Sequence, residues 1–115
     1  MSSMHESGFT LYIEDILMAI NHVYEYTHGY SFDDFSKDHK TIYAVVRNFE
    51  IIGEAANKIP KEFTVLNPEI PWEKMIGMRN KMIHEYTGVD ASILWQTIQE
   101  DLPDLKEKIE ALVPT

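Results

Sequence analysis

Residues 77–86 read Gly77-Met78-Arg79-Asn80-Lys81-Met82-Ile83-His84-Glu85-Tyr86, and this stretch decides how the chain is interpreted. It brings a guanidinium, an amide, an imidazole and a phenol into eight residues, from Arg79 to Tyr86. Apolar residues recur through it and upstream of it at spacings of three and four: Trp72, Met75, Ile76, Met78, Met82 and Ile83. This rhythm predicts an amphipathic helix from Pro71 to about Tyr86, with the proline in its first turn.

The polar residues of this predicted helix do not converge on one point. At about 100° per residue, Arg79 and Tyr86 share one line along the helix, while Asn80 and His84 share another about 100–140° away. A second copy of the helix, related by a two-fold axis, would bring two Arg79/His84 sets over one ligand. The motif therefore predicts a homodimer.

Each motif residue also has a purely structural interpretation. A histidine near the end of a helix often interacts with the helix dipole, and a single arginine is often an ion-pair partner. The combination is more informative, because the chain has only two arginines, Arg47 and Arg79, against eight lysines, and Asn follows both. Arginine offers phosphate or carboxylate a planar fork that lysine cannot reproduce.

The remaining chain predicts further helices and no strands. The same apolar rhythm covers about 9–27, and Ser31 with Asp34 resembles a capping pair for a short helical turn over 32–37. Asp38 is placed to cap a helix over about 39–59 that Pro60 ends, and residues 61–66 form a further turn. After a cap at Asp90 or Ser92, a heptad-like stripe (Trp95, Ile98, Leu102, Leu105, Ile109 and Leu112) is interrupted by Pro103, which predicts a kink or a restart. We therefore expect an all-α, antiparallel bundle of four to five main helices over residues 1–115, as one domain.

Charge and composition narrow the class of protein. The 115 residues are 44% hydrophobic and 25% charged, as in ordinary globular proteins, and the net charge is −9. This charge lies at the two ends: residues 1–38 carry −6, 39–71 carry 0, 72–89 carry +1 and 90–115 carry −4. The net negative charge argues against a general nucleic-acid coat. Its distribution suits a basic partner protein, or a partner that masks the neutral middle, and the motif lies in the only positive segment.

Several site classes have no support in the sequence. Without cysteine there is no disulfide or thiolate metal site, which fits a reducing, cytoplasmic environment. No apolar run reaches the length of a membrane span, and the first residues lack the pattern of a signal peptide. His5, His22, His28 and His39 show no metal-ligand spacing, so neither a metal nor a cofactor is predicted.

The ordered set of motifs resembles the HEPN superfamily. The signature of this superfamily is similar to the order found here. Arg79 is followed by four residues, then His84, one residue and Tyr86, and Asn80 comes directly after the arginine. From about Tyr12 to Leu112 the chain resembles the HepT-like branch, the toxin partners of minimal nucleotidyltransferase antitoxins. The supporting stretches are Arg47-Asn48-Phe49-Glu50-Ile51-Ile52-Gly53-Glu54-Ala55, Ile70-Pro71-Trp72, Ile76-Gly77-Met78-Arg79-Asn80 and Glu100-Asp101-Leu102-Pro103.

This resemblance implies a helical dimer whose Arg79 and His84 face their symmetry mates across a cleft. It implies a metal-independent endoribonuclease, silenced when the cognate nucleotidyltransferase AMPylates Tyr86. The residue chemistry agrees: histidine suits acid/base work near neutral pH, arginine can hold phosphate oxygens, and Asn80 and Tyr86 can orient the imidazole or bind RNA. From the residues alone, a non-catalytic binding subunit for a nucleotidyltransferase and a plain dimerisation domain remain alternatives, and whether Arg47 and Glu54 line the cleft stays open.

Overall fold

The computed structural model describes residues 9–84 and 90–113, with side chains for all of these except 79–84. These ranges hold seven α-helices and no strand: α1 (Phe9–Thr27), α2 (Phe32–Lys37), α3 (His39–Lys58), α4 (Lys61–Leu66), α5 (Trp72–His84), α6 (Ala91–Glu100) and α7 (Leu102–Glu110). Five are nine residues or longer. The predicted all-α class is confirmed.

Local capping chemistry fixes the start of three helices. Ser31 and Asp34 form a reciprocal capping box at α2, as predicted. Asp38 caps α3 by accepting hydrogen bonds from the backbone N–H and hydroxyl of Thr41. Asp90 caps α6 through the N–H groups of residues 92 and 93. Hydrogen bonds to the charged form, first from the Tyr30 hydroxyl at 2.5 Å, lower the pKa of Asp38 from its ordinary 3.8 to about 2.

The heptad-like stripe is split between two helices rather than carried by one kinked helix. Asp101 donates its N–H to the Thr97 carbonyl at the end of α6, and its own carbonyl accepts the Leu105 N–H at the start of α7. Pro103 then lies in the first turn of α7, where its missing N–H has no partner to lose. The predicted restart is therefore confirmed, one residue before the proline.

Helix α3 is the centre of the bundle. It packs most extensively against α1 and α5 and also contacts α2 and α6, while α7 packs against α1 and α6. α1 and α3 run antiparallel, because Lys58 near the end of α3 lies 5.8 Å from the ring of Tyr12 near the start of α1. The shortest dimension of the molecule is 21 Å, about two helix diameters, so the helices form two layers. Their buried apolar residues form one continuous core.

Within the described ranges, no helix has both the length and the apolar character needed to span a bilayer.

Candidate functional site

The orientation of α5 is fixed by the core residues in its first two turns. Trp72, Met75 and Met78 are buried, and the Trp72 indole N–H donates to the Asn67 carbonyl at 3.0 Å. Pro71 accepts the first helical hydrogen bond, from Met75 N–H, so the helix begins one residue later than predicted. Lys74, on the side toward α7, pairs with Asp101 at 3.0 Å. The rotation of this helix about its axis is thereby determined.

The described part of α5 includes the backbone of Arg79, Asn80 and His84, whereas Tyr86 lies outside the described residues. Seven residues make nearly two helical turns, so the position of His84 continues the line of Gly77, which is exposed. A Cβ atom added at Gly77 would meet nothing within 4 Å. By the same register, the position of Arg79 continues the line of the buried Trp72. A single α5 therefore places Arg79 and His84 on different sides of the helix.

A groove lies between α1 and α3. Its volume is about 340 Å³, and its polar lining consists of Asp15, His22, Asn48, Glu54 and Lys58, with Tyr12, Met18 and Ile51 among its other residues. Asn48 is only 5% exposed and donates its side-chain N–H to the Ala44 carbonyl at 2.8 Å. The sequence analysis missed this groove, although an asparagine between Val45 and Ile52, in the apolar stripe of α3, was a signal for it.

Arg47 and Glu54 occupy different surroundings on α3. Glu54 lines the α1–α3 groove, whereas Arg47 is not among the lining residues. The Arg47 side chain is 62% exposed, and its Nη1 donates to Glu50 at 3.4 Å, a long and solvated ion pair. Across the described ranges, no group of three or more His, Asp or Glu side chains could hold a metal ion.

Comparison with known proteins places this arrangement in a family. The model of the ribonuclease HepT-like family matches residues 16–112, from α1 to just beyond α7. The chain belongs to this family. No solved structure matches the chain.

Named relatives agree with the family match over most of their length. The "Probable ribonuclease HepT" of Thermococcus cleftensis is 52% identical over 101 residues, which cover 88% of this chain and 92% of that protein. A "Putative RNase" of Caldanaerobacter subterraneus subsp. tengcongensis is 42% identical, covering 89% and 91%. Another, of Methanocaldococcus jannaschii, is 39% identical, covering 93% and 98%.

The HepT-like match confirms the resemblance that the motifs indicated. It spans the whole motif segment, including Arg79, Asn80, His84 and Tyr86. The roles assigned to these four residues, and the pairing of two chains, stay predictions. The fold adds the position of the motif's first part: the first half of α5 is buried in the core, and the last two turns of this helix carry the backbone of Arg79, Asn80 and His84.

Proposed function

We propose that this HepT-like chain, acting as one domain over residues 1–115, is a metal-independent endoribonuclease. The observation that carries the proposal is the family match across the Arg79-to-Tyr86 motif, in a chain whose relatives are named as RNases. In the register of α5 the position of Arg79 continues the line of the buried Trp72, so the register supports only the role of His84, whose position continues the line of the exposed Gly77. A general acid or base has to reach substrate from such a position.

The proposed chemistry is transfer of the phosphoryl group to the neighbouring ribose oxygen. The 2′-oxygen attacks phosphorus as a base removes its proton, and the bond to the 5′-oxygen breaks as an acid supplies a proton there. The products are a 2′,3′-cyclic phosphate and a free 5′-hydroxyl. His84 is the proposed acid or base, and Arg79 holds the non-bridging oxygens as negative charge develops on them. Asn80 and Tyr86 are proposed to orient the imidazole or bind RNA.

The proposed step uses both an acid and a base, and the motif holds one histidine per chain, so we propose that the active species is a homodimer that supplies two. One α5 separates the positions of Arg79 and His84 around its axis, and a two-fold related α5 supplies the second set. Exposed apolar residues support self-association: Leu11 and Met18, 63% and 56% exposed, lie two turns apart on the same side of α1. Sedimentation that finds only monomers under the cleavage conditions would contradict this step.

The partner and the regulation rest on the resemblance. We propose that the chain is a toxin whose antitoxin is a minimal nucleotidyltransferase, and that AMPylation of Tyr86 silences it. The modification would place a bulky anion beside the motif and repel RNA phosphate. After co-expression with such a nucleotidyltransferase, mass spectrometry should find one AMP on Tyr86 together with loss of cleavage. A chain that is neither toxic nor able to cleave RNA, with or without the nucleotidyltransferase, would favour a non-catalytic binding subunit instead.

The direct test is RNA cleavage by the purified protein in EDTA. We expect cleavage with cyclic phosphate ends, and a loss of about 10²–10⁴-fold in Arg79→Ala and in His84→Ala. His28→Ala and Lys61→Ala are matched controls, because both side chains are exposed and lie on other segments. If the motif variants cleave as fast as these controls, the assigned roles are wrong.

A further inference from the structure

Helices α2 and α6 form a second surface that the proposed nuclease chemistry does not use. Phe32 on α2 is 41% exposed, and its ring lies 6.2 Å from that of Trp95 on α6. A concave space of about 340 Å³ lies beside them, lined also by Ser92, Gln96, Gln99 and Glu100. We call these six residues the Phe32–Trp95 surface.

The Trp95 ring is packed against the core, and its indole N–H has no hydrogen-bond acceptor among the described residues. Its ring packs 5.4 Å from that of Phe35, which is completely buried, so the indole is supported from the core side. The other tryptophan, Trp72, donates its indole N–H to a carbonyl, as partly buried tryptophans usually do. Among the residues that the structure describes, none accepts a hydrogen bond from the Trp95 indole N–H. An acceptor on a bound partner would complete it.

The negative charge around this surface favours a cationic partner. Of its six residues only Glu100 is charged, and the flanking segments 28–36 and 90–103 add four carboxylates (Asp33, Asp34, Asp90 and Asp101) and no lysine or arginine. Two of these carboxylates are paired with lysines, Asp33 with Lys37 and Asp101 with Lys74, each at 3.0 Å, while Asp34, Asp90 and Glu100 have no ion pair among the described residues. RNA phosphate would be repelled here, because nucleic-acid binding needs clustered positive charge. A cationic partner would be attracted.

We propose that the Phe32–Trp95 surface docks a basic segment of a partner protein, in which arginine or lysine flanks an apolar side chain. A guanidinium stacks on the exposed Phe32 ring and the half-buried Trp95 ring, and Glu100 pairs with a second cation. The Trp95 indole N–H donates to a backbone carbonyl of the segment, and the apolar side chain fills the concave space. This interaction is independent of RNA cleavage, so it stands or fails separately from the proposed function.

Proton–nitrogen correlation NMR of the ¹⁵N-labelled full chain tests the proposal, because each tryptophan gives one indole N–H signal. Trp95→Phe identifies which signal belongs to Trp95, and the Trp72 signal is an internal control. The probes are a capped peptide of alternating arginine and leucine, the same peptide with glutamate for arginine, and oligouridine RNA.

We expect the arginine peptide to shift the Trp95 signal saturably and to leave the Trp72 signal unmoved. The glutamate peptide and the oligouridine RNA should shift neither signal. Phe32→Ala or Glu100→Gln should weaken this binding roughly two- to five-fold, the effect of one exposed cation–π contact or ion pair. Leu66→Ala and Glu107→Gln are matched controls on other exposed helices, and they should change nothing.

Three results would overturn the proposal. They are an unmoved Trp95 signal, equal shifts with the arginine and glutamate peptides, or variants at Phe32 and Leu66 that bind alike. A shift with oligouridine but not with the arginine peptide would assign the surface to RNA instead.

Discussion

Replacing glycine by alanine should stabilise this chain at Gly77 and destabilise it at Gly29. The two sites are sterically equivalent, because an added Cβ would meet nothing within 4 Å at either. They differ in backbone conformation: Gly77 lies in the middle of α5, whereas Gly29, just after α1, has φ of +77°. The same methyl group therefore tests the backbone alone.

The magnitudes follow from this difference. In a helix, alanine loses less conformational freedom on folding than glycine, so Gly77→Ala should gain about 0.5–1 kcal/mol. At Gly29 an L side chain is strained in the left-handed region, so alanine should lose about 1–2 kcal/mol. With a urea m-value of roughly 2 kcal/mol/M, the unfolding midpoints of the two variants should differ by about 1 M.

The assay is urea unfolding followed by circular dichroism, at one fixed and low protein concentration, because self-association would raise the apparent stability. The expected order of midpoints is Gly77→Ala, wild type, Gly29→Ala. A loss of stability in Gly77→Ala under these conditions would refute the reasoning, since it would mean that the space over this turn of α5 is not open within one chain.

The other predictions use the same unfolding assay. Phe49→Ala, at a completely buried position of α3, should lose about 3–5 kcal/mol of unfolding free energy. Tyr43→Ala, at a position of the same helix that is 67% exposed, should stay within about 0.5 kcal/mol of wild type. Equal losses in the two variants would place Phe49 outside the core. Hydrogen bonds from Tyr30 and then Thr41 lower the pKa of Asp38 from 3.8 to about 2. Its carboxylate therefore stabilises the fold above pH 3.8, and this contribution disappears as pH falls to about 2. Asp38→Asn should therefore be less stable than wild type at pH 6 and should approach it at pH 2; a constant difference would contradict the assignment. Lys74→Ala should lose less than about 1 kcal/mol, and 1 M salt should remove the difference because the ion pair with α7 is exposed.

The helices and their starts could be predicted because the deciding interactions are local. A capping side chain contacts backbone two or three residues away, so Ser31, Asp38 and Asp90 could be assigned from sequence neighbours. A break or kink in the helix near Pro103 was also predicted from the sequence. Its position at Asp101 was not, because a proline is tolerated in the first turn of a new helix as well as after the end of an old one.

The candidate site was likewise predicted from the sequence only where its residues are close together along the chain. The motif from Arg79 to Tyr86 was visible as spacing along one helix, and so was its family resemblance, which the family match confirms. The α1–α3 groove and the Phe32–Trp95 surface were not visible. Trp95 was assigned only to an apolar stripe, and His22 was named only as a histidine without metal-ligand spacing, because their neighbours are distant in sequence.

The sequence by itself determined the helices, their caps and the order of the motif residues, since periodicity and short-range hydrogen bonds set all three. Only the tertiary structure decided which helix covers each apolar face. It packed α3 against both α1 and α5, and it brought Phe32 to Trp95 across two helices. The reason is physical: burial of apolar area is non-directional and shared by the whole core, so no local stretch can specify which helix covers which face.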